Sequence, residues 1–336
     1  MGKKIKIAIL GYGHIGKKHA EMVAQNPNFE LIALIDSKFA AEDTQNFSVP
    51  VFKSLQEFLG QEFSVDLIAV CTPNGLHFDQ AKTIIESGIS VIIEKPITLH
   101  SDEAIALESL AAEKKVHIFP VMQNRFSPPA VWLKSLLENN LLGKIFMVQI
   151  SCYWNRNDGY YTKESWRGTK ALDGGTLFTQ FSHYLDIMYW LFGDITNIKS
   201  KFADFNHSEL TEFEDSGIIT FEFASGGIGS FNFSTSVWNE NLESSLTIIA
   251  EKGSVKVGGQ YMNEVEKCII KDYTLPVLPE TSHPNDYGSF KGSAQNHHYL
   301  YQNVVDFLRF GKEIQTTTCD SIKVLKIIEN IYKAKN

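Results

Sequence analysis

Gly11, Gly13 and Gly16 lie in the run KIAILGYGHIG, a G-x-G-x-x-G spacing that follows an apolar β-branched run and opens an amphipathic stretch. In that context each glycine has a task. Gly11 allows a tight turn, Gly13 lets backbone approach a pyrophosphate, and Gly16 packs helix on strand. The helix start then offers amides and a positive dipole end to phosphate. Tyr12, His14 and Ile15 complete this cofactor loop. Asp36 closes the next apolar run, about 20 positions on, where an acid accepts hydrogen bonds from an adenosine ribose. Its charge repels a 2′-phosphate, so NAD is favoured over NADP. The nearby Lys38 works against that preference.

Two further apolar runs end in polar residues. CTPNGLH brings Thr72, Pro73, Asn74 and His77 to one strand end, and IIEKP brings Glu94 and Lys95 to another. In open parallel sheets, ligands bind outside the carboxyl ends of the strands. A lysine ending a strand is often only a solvated rim residue. Followed by proline at the ligand edge, Lys95 is read as a hydrogen-bond donor to a reacting hydroxyl. In the second half, DGGTLFTQFSHYLD places His183 among small polar residues at the head of an apolar helix. An imidazole has an unperturbed pKa near 6.5, suited to taking a proton at neutral pH.

The elements that must hold these groups follow from periodicity. Short β-branched runs alternate with helix-length segments, including 14–25, a stretch around SLQEFL, a helix closed by Gly88, and SDEAIALESLAAEKK with Ser101 as its N-cap. Continuous apolar strands alternating with helices predict a parallel sheet covered on both faces. From about residue 124 the pattern changes to two-residue alternation. GKIFMVQISCYW reads as a strand; GIITFEFASGGIGSFNFSTS and SSLTIIAEKGSVKVG read as hairpins. Two helices, 294–310 and 320–334, close the chain. Residues 276–292, rich in Pro, Gly and polar types, are expected to be the least ordered. The fold class is α/β plus α+β: a Rossmann dinucleotide-binding domain over 1–123, then a substrate-binding and oligomerisation domain over 124–336. The C-terminal helices can pack back on the first domain.

The 336 residues carry a formal net charge of -8, and no Lys/Arg run offsets phosphate repulsion, so nucleic acid is not an expected partner. No apolar run approaches the length of a membrane span. The four cysteines have no C-x-x-C spacing, and Cys71 and Cys152 sit in apolar strands, which suits a reducing cytoplasm. No metal site is expected; the adjacent histidines of QNHHY diverge on a helix. His297 is left to cap that helix or to touch substrate. Glu212, Glu214 and Asp215 read as a solvated turn, Trp154 as core, and Asp186 as an orienter of His183.

Taken in order, G-x-G-x-x-G, Asp36, TPN…H, EKP, WRGT, DGG and SHYLD resemble the glucose–fructose oxidoreductase / inositol dehydrogenase (Gfo/Idh/MocA) family along the whole chain. The resemblance implies a second domain with a large, mostly antiparallel sheet that often mediates homodimer or homotetramer formation. It also implies a catalytic Lys95 with a cis bond to Pro96. Thr72, Pro73, Asn74 and His77 would line the nicotinamide side, and Trp166 and Arg167 would reach the cofactor. Many members carry an aspartate where this chain has Thr179, so a three-residue proton relay is not expected. The Q-x-S-H pattern, together with YWNRNDGYY, resembles one branch, the UDP-N-acetyl-2-amino-2-deoxyglucuronate dehydrogenases, which oxidise a sugar 3-hydroxyl.

The chemistry expected is hydride transfer from a carbinol to NAD. His183 serves as base, Lys95 as donor to the oxygen, and Thr179 as a hydrogen-bonding orienter. Arg156 offers a planar fork to a carboxylate or diphosphate. Tyr161 and Gln180 join it as substrate contacts. Two other readings stand beside this one: a dehydrogenase of free sugars or cyclitols such as myo-inositol, and a cofactor-binding sensor without catalysis.

Overall fold

A computed structural model describes residues 3–39, 47–288 and 290–335. Its chain divides into two units, Met1–Met122 with His297–Ile322, and Gln123–Asn296 with Lys323–Asn336. The domain expected over 124–336 is therefore interrupted, because residues 297–322 group with the first unit.

In the first unit, strands β1 (Ile5–Leu10), β2 (Phe29–Ile35), β3 (Val51–Phe52), β4 (Leu67–Val70), β5 (Ser90–Ile93) and β6 (Ile118–Pro120) form one parallel sheet, ordered β3-β2-β1-β4-β5-β6. The middle strands are apolar at nearly every position because both faces are covered; all four residues of β4 are buried. The covering helices are α1 (His14–Gln25), α2 (Leu55–Leu59), α3 (His77–Glu86) and α4 (Ser101–Lys114). Gly88 adopts φ 75° just past α3, the left-handed conformation that glycine takes without penalty. Ser101, expected to cap α4, is its first residue instead. The extended His100 precedes it, and no side chain caps the turn.

Helix α5 (Pro128–Glu138) opens on two prolines, whose missing N–H groups cost nothing in a first turn. Next come β7 (Ile145–Tyr153), the short α6 (Thr176–Thr179), α7 (Ser182–Phe192) and strands β8 (Ile195–Ala203), β9 (Ser216–Phe223), β10 (Ile228–Ser234), β11 (Glu243–Ala250), β12 (Gly253–Gly258) and β13 (Glu264–Ile270). The seven strands form one sheet, ordered β13-β12-β11-β7-β10-β9-β8, antiparallel at every pairing except β7 with β10. Both expected hairpins form, with Gly226 and Gly227 supplying the positive φ of the first turn. One sheet face is core. Phe231, Phe233, Ile150 and Ile248 are buried there, with Phe181 and Trp154 in ring contact above. The segment expected to be least ordered contains an antiparallel pair, β14 (Pro284–Asp286) and β15 (Lys291–Ala294).

Helix α8 (His297–Phe310) belongs to the first unit. It buries Leu300, Tyr301, Val304 and Val305, and Arg309 donates to Asn28 Oδ1 at 2.6 Å and Lys3 O at 2.9 Å. Helix α9 (Thr318–Lys333) ends the chain. Among the described residues no helix is long and apolar enough to cross a membrane.

Candidate active site

In the first unit, the parallel sheet brings the ends of β2, β1, β4 and β5 side by side. Asp36, the glycine loop, Thr72–Asn74 and Glu94–Lys95 thus share one sheet edge. A Cβ on Gly11 (φ 89°) would sit 2.8 Å from the Cys71 backbone, and one on Gly16 would collide with Gly11 O. Gly13 is different. Its φ of -74° suits any residue, and a Cβ there would meet nothing within 4 Å. No protein atom explains glycine at this position, whereas a pyrophosphate lying on the amides of the first turn of α1 does. Gly13 also caps that helix without a side-chain bond. Asp36 accepts from the Tyr12 amide at 2.7 Å and from the Lys38 amide at 2.9 Å. The acid thus braces the loop and keeps its charge where a ribose would lie. These residues fit NAD.

Two residues expected at the cofactor have work inside the protein. His77 is fully buried; its Nδ1 lies 2.8 Å from Pro96 O and its Nε2 3.0 Å from Thr72 O. It ties together the two loops expected to line the nicotinamide, rather than lining it. Burial pushes its pKa down, against the pull of those carbonyl contacts. Glu94 is 6% exposed, and its Oε1 lies 2.9 Å from His19 Nε2 and 3.4 Å from His297 Nε2. Burial raises its pKa, but the two imidazoles outweigh that and hold the carboxyl well below its usual range. Both side chains have partners inside the unit: main-chain carbonyls for His77, and imidazoles distant in sequence for Glu94. Thr72 donates to Gln80 at 2.6 Å, Asn74 is buried at the head of a short 3₁₀ turn, and the Lys95–Pro96 bond is cis.

The second unit assembles a separate polar group. His183 is buried as the second residue of α7, with Gln123 Nε2 at 3.4 Å from its Nε2. Gln123 also donates to Ser293 at 3.1 Å. An amide N–H directed at Nε2 leaves that nitrogen as an acceptor. Gln123 was not read as a site residue from the sequence, where a glutamine opening QNRFSPP carries no chemical signal of its own. Asp186, expected to orient His183, has its carboxylate gripped by both prongs of Arg125, at 2.8 and 2.6 Å. The Thr179 hydroxyl donates to the fully buried Asp173 carboxylate, which also accepts from the Gly168 amide at 2.9 Å.

Nearby in the chain, Arg156 is 3% exposed and lies over Trp154 (4.7 Å), Tyr160 (4.9 Å) and Phe290 (5.3 Å). Arg167 lies over the same Tyr160 (4.6 Å) and Phe290 (5.5 Å), and over its neighbour Trp166 (5.1 Å). Arg156 donates to Asn155 O at 2.6 Å, while the Nε atoms of both arginines are buried without a protein acceptor. Gln180 donates to Tyr160 OH at 3.1 Å, and its own carbonyl oxygen is buried without a donor. Tyr161, expected against substrate, is a packing residue. It is 1% exposed in a cluster with Tyr160 and Phe213. Trp154 is core as expected, donating to Ser244 at 2.8 Å.

The model of the oxidoreductase family with an NAD-binding Rossmann fold matches residues 5–121. That of the GFO/IDH/MocA C-terminal domain matches 131–256. The WlbA dehydrogenase of Chromobacterium violaceum, solved with NADH and UDP-GlcNAcA, is 30% identical with a TM-score of 0.88; 99% of this chain and 94% of that one are covered. The chain belongs to the Gfo/Idh/MocA family. The WlbA dehydrogenase of Bordetella pertussis, also solved with NADH and UDP-GlcNAcA, is 28% identical to this chain at TM-score 0.87, covering 99% and 96%. The inositol 2-dehydrogenase of Rhizobium meliloti is 22% identical over 285 residues, 82% of each chain. As a Gfo/Idh/MocA member the protein is an NAD-dependent dehydrogenase acting on CH–OH groups, of a family that works on sugars and polyols.

Proposed function

We propose that the substrate is an anionic nucleotide sugar, a UDP-N-acetylglucosaminuronate-type molecule oxidised at its 3-hydroxyl. One observation carries this reading. Arg156 and Arg167 share an aromatic platform, and among the described residues neither has a carboxylate within ion-pair distance. Arg156 is buried and Arg167 half-buried, and a guanidinium buried as that of Arg156 is without counter-charge costs several kcal/mol, on the order of the effective penalty per ion. A diphosphate or uronate carboxylate would supply that counter-charge; a neutral cyclitol would not. The WlbA proteins, solved with UDP-GlcNAcA, support the same choice. Gln180, with its undonated oxygen, serves as a further substrate contact, and Arg167 serves with Arg156 rather than at the cofactor.

NAD, when bound, supplies the hydride acceptor for the carbinol carbon. Gly13 and the first turn of α1 hold its pyrophosphate, and Asp36 its ribose. His183 takes the hydroxyl proton through an acceptor ring nitrogen. Lys95 donates to the oxygen as its charge develops, and both effects favour the transition state over the ground state. Thr179 and Asp173 fix the short helix that precedes His183. The protein acts as a homodimer or homotetramer, associating through the outward face of the seven-stranded sheet.

The test is NADH formation at 340 nm, roughly the usual wavelength for nicotinamide reduction, against UDP-GlcNAcA, UDP-GlcNAc, free glucuronate and myo-inositol. Turnover of UDP-GlcNAcA alone or well above the others is expected. Turnover of myo-inositol with silence on both UDP-sugars would replace this reading with a cyclitol dehydrogenase.

A further inference from the structure

The first unit encloses four side chains that hydride transfer does not itself require: His19 on α1, Glu94 at the end of β5, and His297 and Tyr301 on α8. We propose that Glu94 is a positioning residue, clamped by His19 and His297, that fixes the backbone of Lys95. The inference rests on Lys95 being the group that meets the reacting oxygen.

The hydrogen bonds form a consistent chain. Tyr301 OH lies 2.8 Å from His19 Nδ1, and His19 Nε2 lies 2.9 Å from Glu94 Oε1. A neutral imidazole satisfies both contacts if Tyr301 donates to Nδ1 and Nε2–H donates to the carboxylate. His297 Nε2 faces the same oxygen at 3.4 Å, a charge contact rather than an aligned hydrogen bond. The second oxygen, Oε2, accepts from the Lys95 amide at 3.1 Å, and the Glu94 amide donates to Val70 O at 3.0 Å. One residue further, Pro96 O is held by His77 at 2.8 Å. The chain is thus gripped immediately before and after the Lys95 Cα.

Stability is a poor explanation for this arrangement. A buried carboxylate carries a large desolvation cost, and apolar groups of similar volume commonly fill such a space at no loss. Precision is a better one. A reacting group misplaced by about 1 Å can lose roughly a hundredfold in rate, and a side chain is only as well placed as the backbone that carries it. His19, Glu94 and His297 also have ligand atoms close enough to hold a cation. That alternative is decided by the same experiment.

The variants are Glu94→Gln, His297→Leu and His297→Gln, with Arg309→Leu as a control that loosens α8 without touching the carboxylate. Two readouts are followed: turnover of UDP-GlcNAcA, and the ¹³C resonance of reductively methylated Lys95, assigned by its loss in Lys95→Arg. With His297→Leu and Glu94→Gln, kcat should fall about a hundredfold, with KM for NAD within about threefold. The Lys95 resonance should shift or broaden. His297→Gln, which retains an N–H donor, should recover most of kcat and the wild-type resonance. If Glu94→Gln fails to fold, the two His297 variants carry the comparison. If wild type turns over no UDP-sugar, the proposed substrate fails, while the Lys95 resonance still decides the clamp. An unmoved resonance in both His297→Leu and Glu94→Gln overturns the proposal. So does an equal loss in Arg309→Leu, or stoichiometric divalent metal in the wild type that His297→Leu removes.

Discussion

The Thr179 hydroxyl, read from the sequence as an orienter at the site, points its proton at the carboxylate of Asp173. The side chain is committed to an acid that the sequence shows only as the start of Asp-Gly-Gly. That tripeptide reads as a turn, and nothing in it says that the acid is fully buried, which is why Asp173 escaped notice while Thr179 did not. Asp173 Oδ2 also takes the Gly168 amide, so one carboxylate joins the WRGT segment to α6. Thr179→Val keeps the shape and removes the donor, leaving a buried carboxylate oxygen short of one bond. Urea unfolding should show a loss of about 1–3 kcal/mol, the cost of an unsatisfied buried polar group. An unchanged midpoint would mean that the hydroxyl contributes no net stabilisation. At this scale the glycine loop, Asp36, Lys95 and His183 were legible because short spacing defines them. Glu94 and His77 were visible as residues but not as tasks, because the partners of Glu94 lie far along the chain and those of His77 are main-chain carbonyls that leave no mark in the sequence.

Between elements, the segment leading into β9 corrects an expectation. Glu214 and Asp215, read as a solvated turn, are 7% and 1% exposed. Glu214 accepts from Thr176 at 2.6 Å and from Tyr332 at 2.7 Å. Periodicity assigns a face only within an element, so it could not see that these acids face α6 and α9. Asp215 accepts the Phe205 and Asn206 amides and lies 3.4 Å from His207 Nδ1. His207 Nε2 lies 2.6 Å from Arg156 O. Nδ1 also lies 3.5 Å from Ser236 Oγ, so a proton on either ring nitrogen has an oxygen to meet. Burial lowers the His207 pKa, but the bonds to Asp215 and the Arg156 carbonyl outweigh it and raise the value. Burial likewise raises Asp215, and its donors outweigh that and lower it. A raised folded pKa stabilises fully below the unfolded value, near 6.5, and that stability is lost as pH rises through the folded value. The melting temperature should therefore fall from pH 6.5 toward pH 9, roughly the window above the unfolded imidazole pKa. In His207→Gln that fall should be shallower. Parallel curves for the two proteins would show that His207 does not carry the alkaline loss.

Across the whole molecule, the order of elements was legible, and the sequence left open which C-terminal helix joins the first unit and where the chain leaves it again. Helix α8 is amphipathic in sequence, and amphipathicity says that a face is buried without saying where. The outward face of the seven-stranded sheet shows the same limit. Register aligns Ile228 with Met147, Met147 with Ile249, Ile249 with Ser254, and Ser254 with Ile269. Four apolar side chains of this row are exposed, and Ile218 of β9 is exposed as well. Single exposed apolar residues need no explanation, but a registered row across five strands is a patch of the kind that marks an interface. A self-associating sheet face would be isologous, so a charge placed on it meets its own copy and repels twice. Ile228→Glu combined with Ile269→Glu should halve the mass measured by light scattering during size exclusion if the assembly is a dimer or a tetramer joined through this face. NADH binding by fluorescence should stay unchanged, since neither residue belongs to the glycine loop or its sheet edge. Retention of the wild-type mass in the double variant would move the interface off this face. Loss of NADH binding together with mass would instead show that the cofactor unit depends on the assembly.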